Sequence, residues 1–361
     1  MAQQGLTTSA PPVERGAFID ALRRTAEAAG EAAGGFDERR FRIAGRVVAL
    51  RFAGPALVPA LTAALEHARI DEPGGADLTV RIWDSESTGT TPPSPPWGAD
   101  DYREHGVIRG WFDEDVQITW QWITNALSVL EPKLGEGMHW TASAQVYPYF
   151  DRAAPLRKLL HLWFAHEGLQ LTHAAALGDA GGCVLLAGNA GAGKSSAALA
   201  CLGSDVGHLA DDYCVLERDG GSGGTTVHSL YSSAKANPDT MQRLGLPAEL
   251  IDNPVREPGD KAVMFLNRHY PGKLVDRAPL RAIAVPVVTG ERETRLIPAS
   301  PAAAMAALAP STMLQLPGTG GRTLQALAAA VRSVPCFRLE AGTDPAGVPA
   351  AIAELLGASA G

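Results

Sequence analysis

One short loop constrains the fold of this chain more than any other feature of its sequence. Residues Gly188–Ser195, GNAGAGKS, match the pattern G-x-x-x-x-G-K-[ST] at every fixed position. The apolar run CVLLA precedes the loop, and SSAALACL, which is rich in helix-forming residues, follows it. A strand, a loop and a helix in this order form the setting in which such a loop holds phosphate groups. The sequence therefore predicts an α/β fold built around this loop.

Each residue type in the loop has a physical reason. Glycines let the backbone turn so that its N–H groups converge on phosphate oxygens, and the N-terminus of the following helix adds a favourable dipole. Lys194 supplies positive charge to the β- and γ-phosphates, and Ser195 offers a hydroxyl oxygen to Mg²⁺. We therefore expect ATP and Mg²⁺ as cofactors, against the alternative of a glycine-rich turn that ends in Lys-Ser by chance. The predicted nucleotide-binding residues are Gly188, Asn189, Ala190, Gly191, Ala192, Gly193, Lys194, Ser195 and Ser196, the last as a residue of the first helical turn and not as a second metal ligand.

Composition narrows the class of protein. With 31 Lys and Arg against 39 Asp and Glu, the formal net charge is −8, which disfavours a broad surface for nucleic acid or anionic lipid. Four widely spaced cysteines form neither a CxxC pair nor a disulfide framework. The start of the chain lacks the pattern of a secretory signal, and no apolar run approaches the roughly 20 residues of a spanning helix. We expect a cytoplasmic protein that binds neither nucleic acid nor membrane.

The chain divides by composition into three parts. Residues 1–14 are polar and rich in Ser, Thr and Pro, and we interpret them as a flexible tail. Residues 15–150 combine helical spacing with the alternating run VQITWQW, which indicates a small α+β domain. Residues 151–361 begin with the amphipathic run PLRKLLHLWFAHEG and contain the phosphate loop, so they are the expected catalytic domain.

An acidic pair and a histidine supply the remaining candidate chemistry. Asp211 and Asp212 follow a short apolar approach in GHLADDYCVLE, where a second strand would reach the phosphate end of the sheet. If one carboxylate serves Mg²⁺, its neighbour can act as general base or orient a hydroxyl; the alternative is a solvated acidic turn. His173, in LTHAAALGD, can orient a carboxylate or can be a core histidine. We assign Asp211, His173 and Lys194 as catalytic and Ser195 and Asp212 as metal ligands, with the division of roles between the two aspartates left open.

Other classes of protein that contain such loops have further sequence motifs, and this sequence lacks two of them. A guanine-binding N-K-x-D string and the LSGGQ string of transport ATPases are both absent. The combination of the histidine in LTHAAALG, the loop GNAGAGKSS and the acidic pair in LADDYCVLE, in this order and spacing, instead resembles the HPr kinase/phosphorylase family. The strings LYSSAKANP, which contains the candidate cation Lys235, and PSTMLQLPG resemble a divergent serine-kinase branch of that family, some members of which are linked to modification of ribosomal precursor peptides, including lasso peptides.

This resemblance implies a P-loop kinase core of HPr kinase type with a smaller N-terminal α+β domain that recruits or shapes the substrate. It also implies active-site roles for His173, Lys194, Ser195, Asp211 and Asp212. The arginine-bearing segment that serves phosphorolysis in the family has only a faint counterpart in VREPGDKAV, so HPr as substrate and the reverse reaction are not implied.

The expected function is ATP-dependent phosphorylation of an aliphatic hydroxyl. The expected partner is a peptide or protein that carries a serine, and a homo-oligomer is compatible with the sequence. Two alternatives stay open: a kinase acting on a free amino acid or metabolite, and a nucleotide-dependent regulatory module without transfer chemistry.

Overall fold

A computed structural model describes residues 12–221 and 223–357 of the chain, which is mixed α/β. Of these residues, those within 1–63, 69–167 and 316–318 form a first compact unit, and those within 64–68, 168–315 and 319–361 form a second. Residues 1–11 of the predicted tail lie outside the described residues. The last part of the predicted tail is helical, because the first helix begins at Pro12. The first unit extends beyond the predicted boundary at residue 150, because the helix Arg157–His166 belongs to it.

The first unit contains eight strands and five α-helices among its described residues. The strands are β1 Phe36–Ile43, β2 Arg46–Ala53, β3 Arg69–Ile70, β4 Leu78–Asp84, β5 Val107–Phe112, β6 Gln117–Gln121, β7 Ala126–Glu131 and β8 Glu136–Thr141. The helices are α1 Pro12–Ala32, α2 Val58–Thr62, α3 Ser85–Thr88, α4 Tyr149–Ala153 and α5 Arg157–His166. The strands form one mixed sheet in the order β3–β1–β2–β4–β8–β7–β6–β5.

Helical and strand periodicities explain how this unit forms its core. In α1, the buried residues Phe18, Leu22 and Ala26 lie four positions apart and therefore share one face of the helix. That face joins a core cluster with Trp83 and Ile118 from the sheet. The α+β character predicted for this region follows from these two patterns.

The second unit contains eleven strands and six α-helices among its described residues. The strands are β9 Gln170–Thr172, β10 Ala175–Asp179, β11 Gly182–Leu186, β12 His208–Ala210, β13 Cys214–Arg218, β14 Thr225–Ser229, β15 Ser233–Ala236, β16 Ala262–Phe265, β17 Arg277–Val288, β18 Arg295–Ala299 and β19 Cys336–Ala341. The helices are α6 Lys194–Ala200, α7 Pro238–Arg243, α8 Leu266–His269, α9 Pro301–Met313, α10 Gly321–Ser333 and α11 Gly347–Gly357. Nine of the strands form one mixed sheet, and β15 pairs with β16 in a separate ribbon.

The centre of the large sheet is a strand buried on both faces. All five residues of β11 are buried, and the four after Gly182 alternate between two core clusters. Cys183 and Leu185 pack in the cluster that contains α9 and α10, whereas Val184 and Leu186 pack in the cluster that contains α6 and α11. A continuous apolar run such as CVLLA is typical of a strand in this position.

The directions of the strands bring three chain segments to one edge of this sheet. Strands β11, β17 and β19 are parallel, so their carboxyl ends lie at the same edge. Strand β10 is antiparallel to β11, with Ala175 opposite Leu186, and β12 is antiparallel to β10, with Ala176 opposite Ala210. The residues before β10, after β11 and after β12 therefore meet at that edge.

No helix in the described ranges combines the length and the apolar character that crossing a membrane requires.

Candidate functional site

The loop after β11 has the backbone shape that its glycines permit. Gly191 and Gly193 adopt left-handed conformations, with φ of 84° and 98°, which side chains with a Cβ rarely adopt. A Cβ on Gly188 would lie 2.7 Å from the Cβ of Ala192, so this position also requires glycine. The loop turns directly into α6, which begins at Lys194. The strand, loop and helix predicted from the sequence are therefore present.

Lys194 lies over the loop. Its residue is 6% exposed, and its Nζ donates hydrogen bonds to the carbonyl oxygens of Gly188 (2.6 Å) and Asn189 (3.4 Å). Burial lowers the pKa of Lys194, while the negative charges of Asp212 and Asp211 act to raise it. The ammonium group thus contacts the phosphate loop and is influenced by the charges of the acidic pair.

Asp211 follows β12 directly and is 1% exposed. Its Oδ2 accepts a hydrogen bond from the backbone N–H of Lys235, at 3.0 Å. Its Oδ1 is buried and has no hydrogen-bond partner among residues 12–221 and 223–357. Burial, with the charge of Asp212, raises the pKa of Asp211 to about 6, although Lys235 and the side chain of Ser195 lower it in part. The Asp211 carboxyl group therefore lies beside Ser195, and its Oδ1 is buried without a hydrogen bond of normal geometry among the described residues.

Asp212 has the opposite environment. Its Oδ1 lies 2.9 Å from His173 Nε2, and its Oδ2 accepts a hydrogen bond of 2.6 Å from the ammonium of Lys235. Burial alone would raise the pKa of Asp212, but Lys235 and His173 together hold it well below its ordinary value. Its side chain keeps 17% of its surface exposed. Asp212 is therefore an ionised, oriented and accessible carboxylate.

The hydrogen bonds of His173 assign its tautomer. A carboxylate can only accept, so the Nε2 that faces Asp212 carries the proton. Nδ1 then accepts from Gln315 Nε2 at 3.0 Å, and Gln315 Oε1 accepts from the hydroxyl of Tyr213. Burial lowers the pKa of His173 despite the nearby charge of Asp212, which favours the neutral ring. Both ring nitrogens are engaged, so the geometry makes His173 an orienting group for Asp212 and not an acceptor of a substrate proton.

Ser196 contacts a neighbouring helix. Its Oγ lies 3.2 Å from Thr240 Oγ1 in α7 and accepts a hydrogen bond from Arg243 Nη2 at 3.3 Å. These contacts place a guanidinium group next to the carboxyl-terminal end of the phosphate loop.

The structure brings together every residue that the sequence nominated for catalysis or metal binding. Sequence reasoning named Lys235 only as a candidate cation; its backbone N–H donates to Asp211 and its ammonium to Asp212. The sequence did not identify Gln315 and Tyr213 as residues of the site. The only sequence signals for these two residues were their positions inside PSTMLQLPG and directly after the acidic pair.

A divalent cation would find oxygen ligands at one point in this site. Within the described part of the chain, no group of three or more His, Cys, Asp and Glu side chains is arranged to hold a metal. The available donors are the Ser195 hydroxyl and the unpartnered Asp211 Oδ1, both hard oxygen ligands of the kind Mg²⁺ prefers when phosphates and waters complete its shell. The placement favours Asp211 over Asp212 as the metal ligand; from sequence we assigned the metal to Asp212 but left the division of roles between the two open.

No protein-family model matches this chain, and no curated protein matches it either. The resemblance to the HPr kinase/phosphorylase family therefore stays a prediction.

Proposed function

We propose that this protein is an ATP- and Mg²⁺-dependent kinase that phosphorylates an aliphatic hydroxyl, with a serine of a peptide or protein as the expected acceptor. The observation that carries the proposal is the buried Asp211 Oδ1, without a hydrogen-bond partner in the described ranges, beside Ser195 of the phosphate loop. A buried carboxylate oxygen without a hydrogen bond costs free energy, and a cation bound by Asp211 and Ser195 would offset that cost.

The loop and Lys194 would hold the triphosphate. Backbone N–H groups of Gly188–Ser195 face the phosphates in loops of this shape, and the Lys194 ammonium is near enough to exchange its carbonyl contacts for phosphate oxygens. Ser195 and Asp211 would hold Mg²⁺, which when bound neutralises charge on the β- and γ-phosphates. This arrangement needs no further acidic residue for the metal.

Asp212 would take up the proton of the acceptor hydroxyl. The hydroxyl oxygen attacks the γ-phosphorus, the bond from that phosphorus to the β–γ bridging oxygen breaks, and ADP leaves with the electron pair. The hydroxyl proton passes to a carboxylate oxygen of Asp212, which His173 and Lys235 hold in place. A carboxylate of low pKa is a weak base, but it is sufficient when the proton moves late in a loose transition state. Asp211 would thus hold the metal and Asp212 would accept the proton, a division of roles that the sequence left open.

Mass spectrometry of acceptor candidates tests the proposal. The full-length protein is incubated with ATP and Mg²⁺ and with paired peptide pools that contain serine or, at the same positions, alanine. We expect a gain of one phosphoryl group in the serine pool only. Transfer to free amino acids or metabolites instead would support the small-molecule alternative. Nucleotide binding without transfer to any hydroxyl would support the regulatory alternative and contradict the proposal.

A further inference from the structure

Lys235 combines an anchored backbone with a cationic end group that has spare hydrogen-bond donors. Its backbone N–H donates to Asp211 Oδ2 at 3.0 Å, and in β15 it pairs with Val263 of β16. Its ammonium has three N–H donors, and Asp212 Oδ2, at 2.6 Å, is its one hydrogen-bond acceptor among residues 12–221 and 223–357. The side chain is only 12% exposed, so two donors of a largely enclosed ammonium are left for a ligand.

The charge of Lys235 also acts on the lysine of the phosphate loop. Burial lowers the pKa of Lys194, and the charges of Lys261 and Lys235 lower it further, while those of the two aspartates raise it. Like charges close enough to repel one another cost free energy, and an anionic group near them offsets that cost. Of the two additional lysines, Lys235 is the one whose ammonium bonds the carboxylate of Asp212.

The proposed reaction brings an anionic group to this ammonium. The acceptor oxygen lies within hydrogen-bond distance of Asp212 as it attacks the γ-phosphorus. The transferring phosphoryl group therefore moves away from ADP and the phosphate loop, where Lys194 offsets its charge, and toward Asp212. In a loose transition state that charge is spread over three equatorial oxygens. The ammonium of Lys235, bonded to Asp212 itself, is the cation on the acceptor side of that group.

We propose that Lys235 is a catalytic residue whose ammonium bridges Asp212 and the transferring phosphoryl group. One N–H stays on Asp212 Oδ2 and keeps the carboxylate in place, and a second donates to an equatorial phosphoryl oxygen. Lys235 stabilises the transition state more than it stabilises bound ATP, because the phosphoryl group reaches the ammonium only as it leaves ADP. This inference rests on the proposed function, because it takes Asp212 to receive the acceptor proton.

Binding of a mimic of the transferring group tests the bridge without an identified acceptor. Aluminium fluoride with ADP-Mg²⁺ imitates that group, and calorimetry compares the affinity for ADP-Mg²⁺ with and without it. Asp212→Asn is compared with Asp212→Asn/Lys235→Met, because the double variant leaves neither partner of the buried ion pair unpaired. We expect aluminium fluoride to tighten ADP binding to Asp212→Asn and this gain to be about tenfold smaller, or less, in the double variant. ADP binding alone should differ by less than about twofold.

Lys133→Met, added to Asp212→Asn, is the matched control and should leave the gain unchanged. Lys133 also bonds a carboxylate at 2.6 Å, that of Asp115, but both residues belong to the first unit.

Three results would overturn the bridge while leaving the kinase proposal intact. They are an equal gain from aluminium fluoride with and without Lys235, a wild-type protein whose ADP binding aluminium fluoride does not tighten, and a loss of ADP binding itself in the double variant. The last result would show that Lys235 supports the nucleotide-binding loop instead. A wild-type protein that binds neither ADP-Mg²⁺ nor ATP-Mg²⁺ would overturn both the bridge and the kinase proposal.

Discussion

The regions around Asp211 and Asp212 differ sharply, although the two residues are consecutive. The region around Asp211 is closed to solvent and provides one backbone N–H and the side chain of Ser195, which stabilise a negative charge less than burial and the charge of Asp212 destabilise it, so the pKa is raised. The region around Asp212 provides an ammonium and an imidazole N–H, so the charge is stabilised and the pKa is lowered. The difference shows that adjacent carboxylates acquire opposite pKa shifts through their partners: the pKa of Asp211 is raised, and Asp212 is held ionised.

The largest effect is expected from removing the charge of Asp212. Asp212→Asn keeps the size of the side chain but eliminates the proton acceptor, so kcat should fall by about a thousandfold while ATP affinity changes little. Phosphoryl transfer and calorimetric binding of ATP-Mg²⁺ measure the two quantities. The exposed Asp205 offers a matched control, and Asp205→Asn should behave as the wild-type protein. A loss of ATP affinity equal to the loss of kcat would show that Asp212 belongs to the nucleotide-binding region instead.

The second prediction concerns the free energy of unfolding, which replacement by Asn should change in opposite directions at Asp211 and Asp212. Because burial raises the pKa of Asp211 from 3.8 to about 6, its contribution lowers the free energy of unfolding as pH rises from about 3.8 to about 6, and the full loss persists above that range. Without nucleotide and metal, Asp211→Asn should therefore increase the free energy of unfolding by about 3 kcal/mol above pH 6 and by little near pH 4. Urea unfolding at the two pH values measures this difference.

Asp212→Asn should instead destabilise the protein in the same experiment. The lowered pKa of Asp212 contributes stability above its ordinary pKa of 3.8, and that contribution is lost as pH falls toward the folded-state value. Removing one partner of a buried ion pair costs about 3 kcal/mol, so the free energy of unfolding of Asp212→Asn should be lower than that of the wild-type protein near neutral pH. The same sign of change in both variants would contradict the contrast between the two regions.

A smaller effect is expected at Gln315, which positions His173. Gln315→Met removes the donor to Nδ1 and should lower kcat by about tenfold with KM for ATP unchanged. Gln315→Glu replaces that donor with an acceptor and should raise the pKa of His173, which adds a pH-dependent step near neutrality to the rate profile. A merely structural role would leave the shape of that profile the same in both variants.

The smallest effect is at His173, for which we expect no protonation step near neutral pH in the wild-type protein. Burial lowers the pKa of His173 from 6.5, so the ring stays neutral across the neutral range and its charge does not change there. Proton NMR titration, with the His173 resonance assigned by its loss in His173→Gln, should show no ionisation near pH 6.5. A titration at that value would contradict the tautomer assigned by Asp212 and Gln315.

Local sequence signals predicted the parts of the fold and the site that depend on neighbouring residues. The run CVLLA predicted a buried strand, and the glycines predicted the turn into α6, because both follow from residues within a few positions. The leucines of PLRKLLHLWFAHEG predicted a helix with one buried face; the helix α5 is present, but all residues from Leu159 to Phe164 are buried, so burial is not confined to one face. The compact unit to which α5 belongs depends on contacts across the chain, and the sequence did not reveal it.

The division of roles in the site could not be read from sequence, because it depends on distant partners. Gln315 bonds His173, which is 142 positions away in the sequence, and Lys235 bonds Asp212, which is 23 positions away. Alternation along an extended chain indicates that neighbouring side chains diverge, but it does not say which one meets a cation. In the first unit, the alternating run VQITWQW predicted the buried Ile118, yet Trp122 lies beyond the end of β6 and is 65% exposed.

The most direct test of the central claim is the Mg²⁺ dependence of ATP binding, measured by calorimetry on the wild-type protein and Asp211→Asn. If Ser195 and Asp211 hold the metal beside the phosphate loop, Mg²⁺ should strengthen ATP binding to the wild-type protein by about tenfold or more and give Asp211→Asn almost no gain. An equal gain from Mg²⁺ in both proteins would contradict the claim.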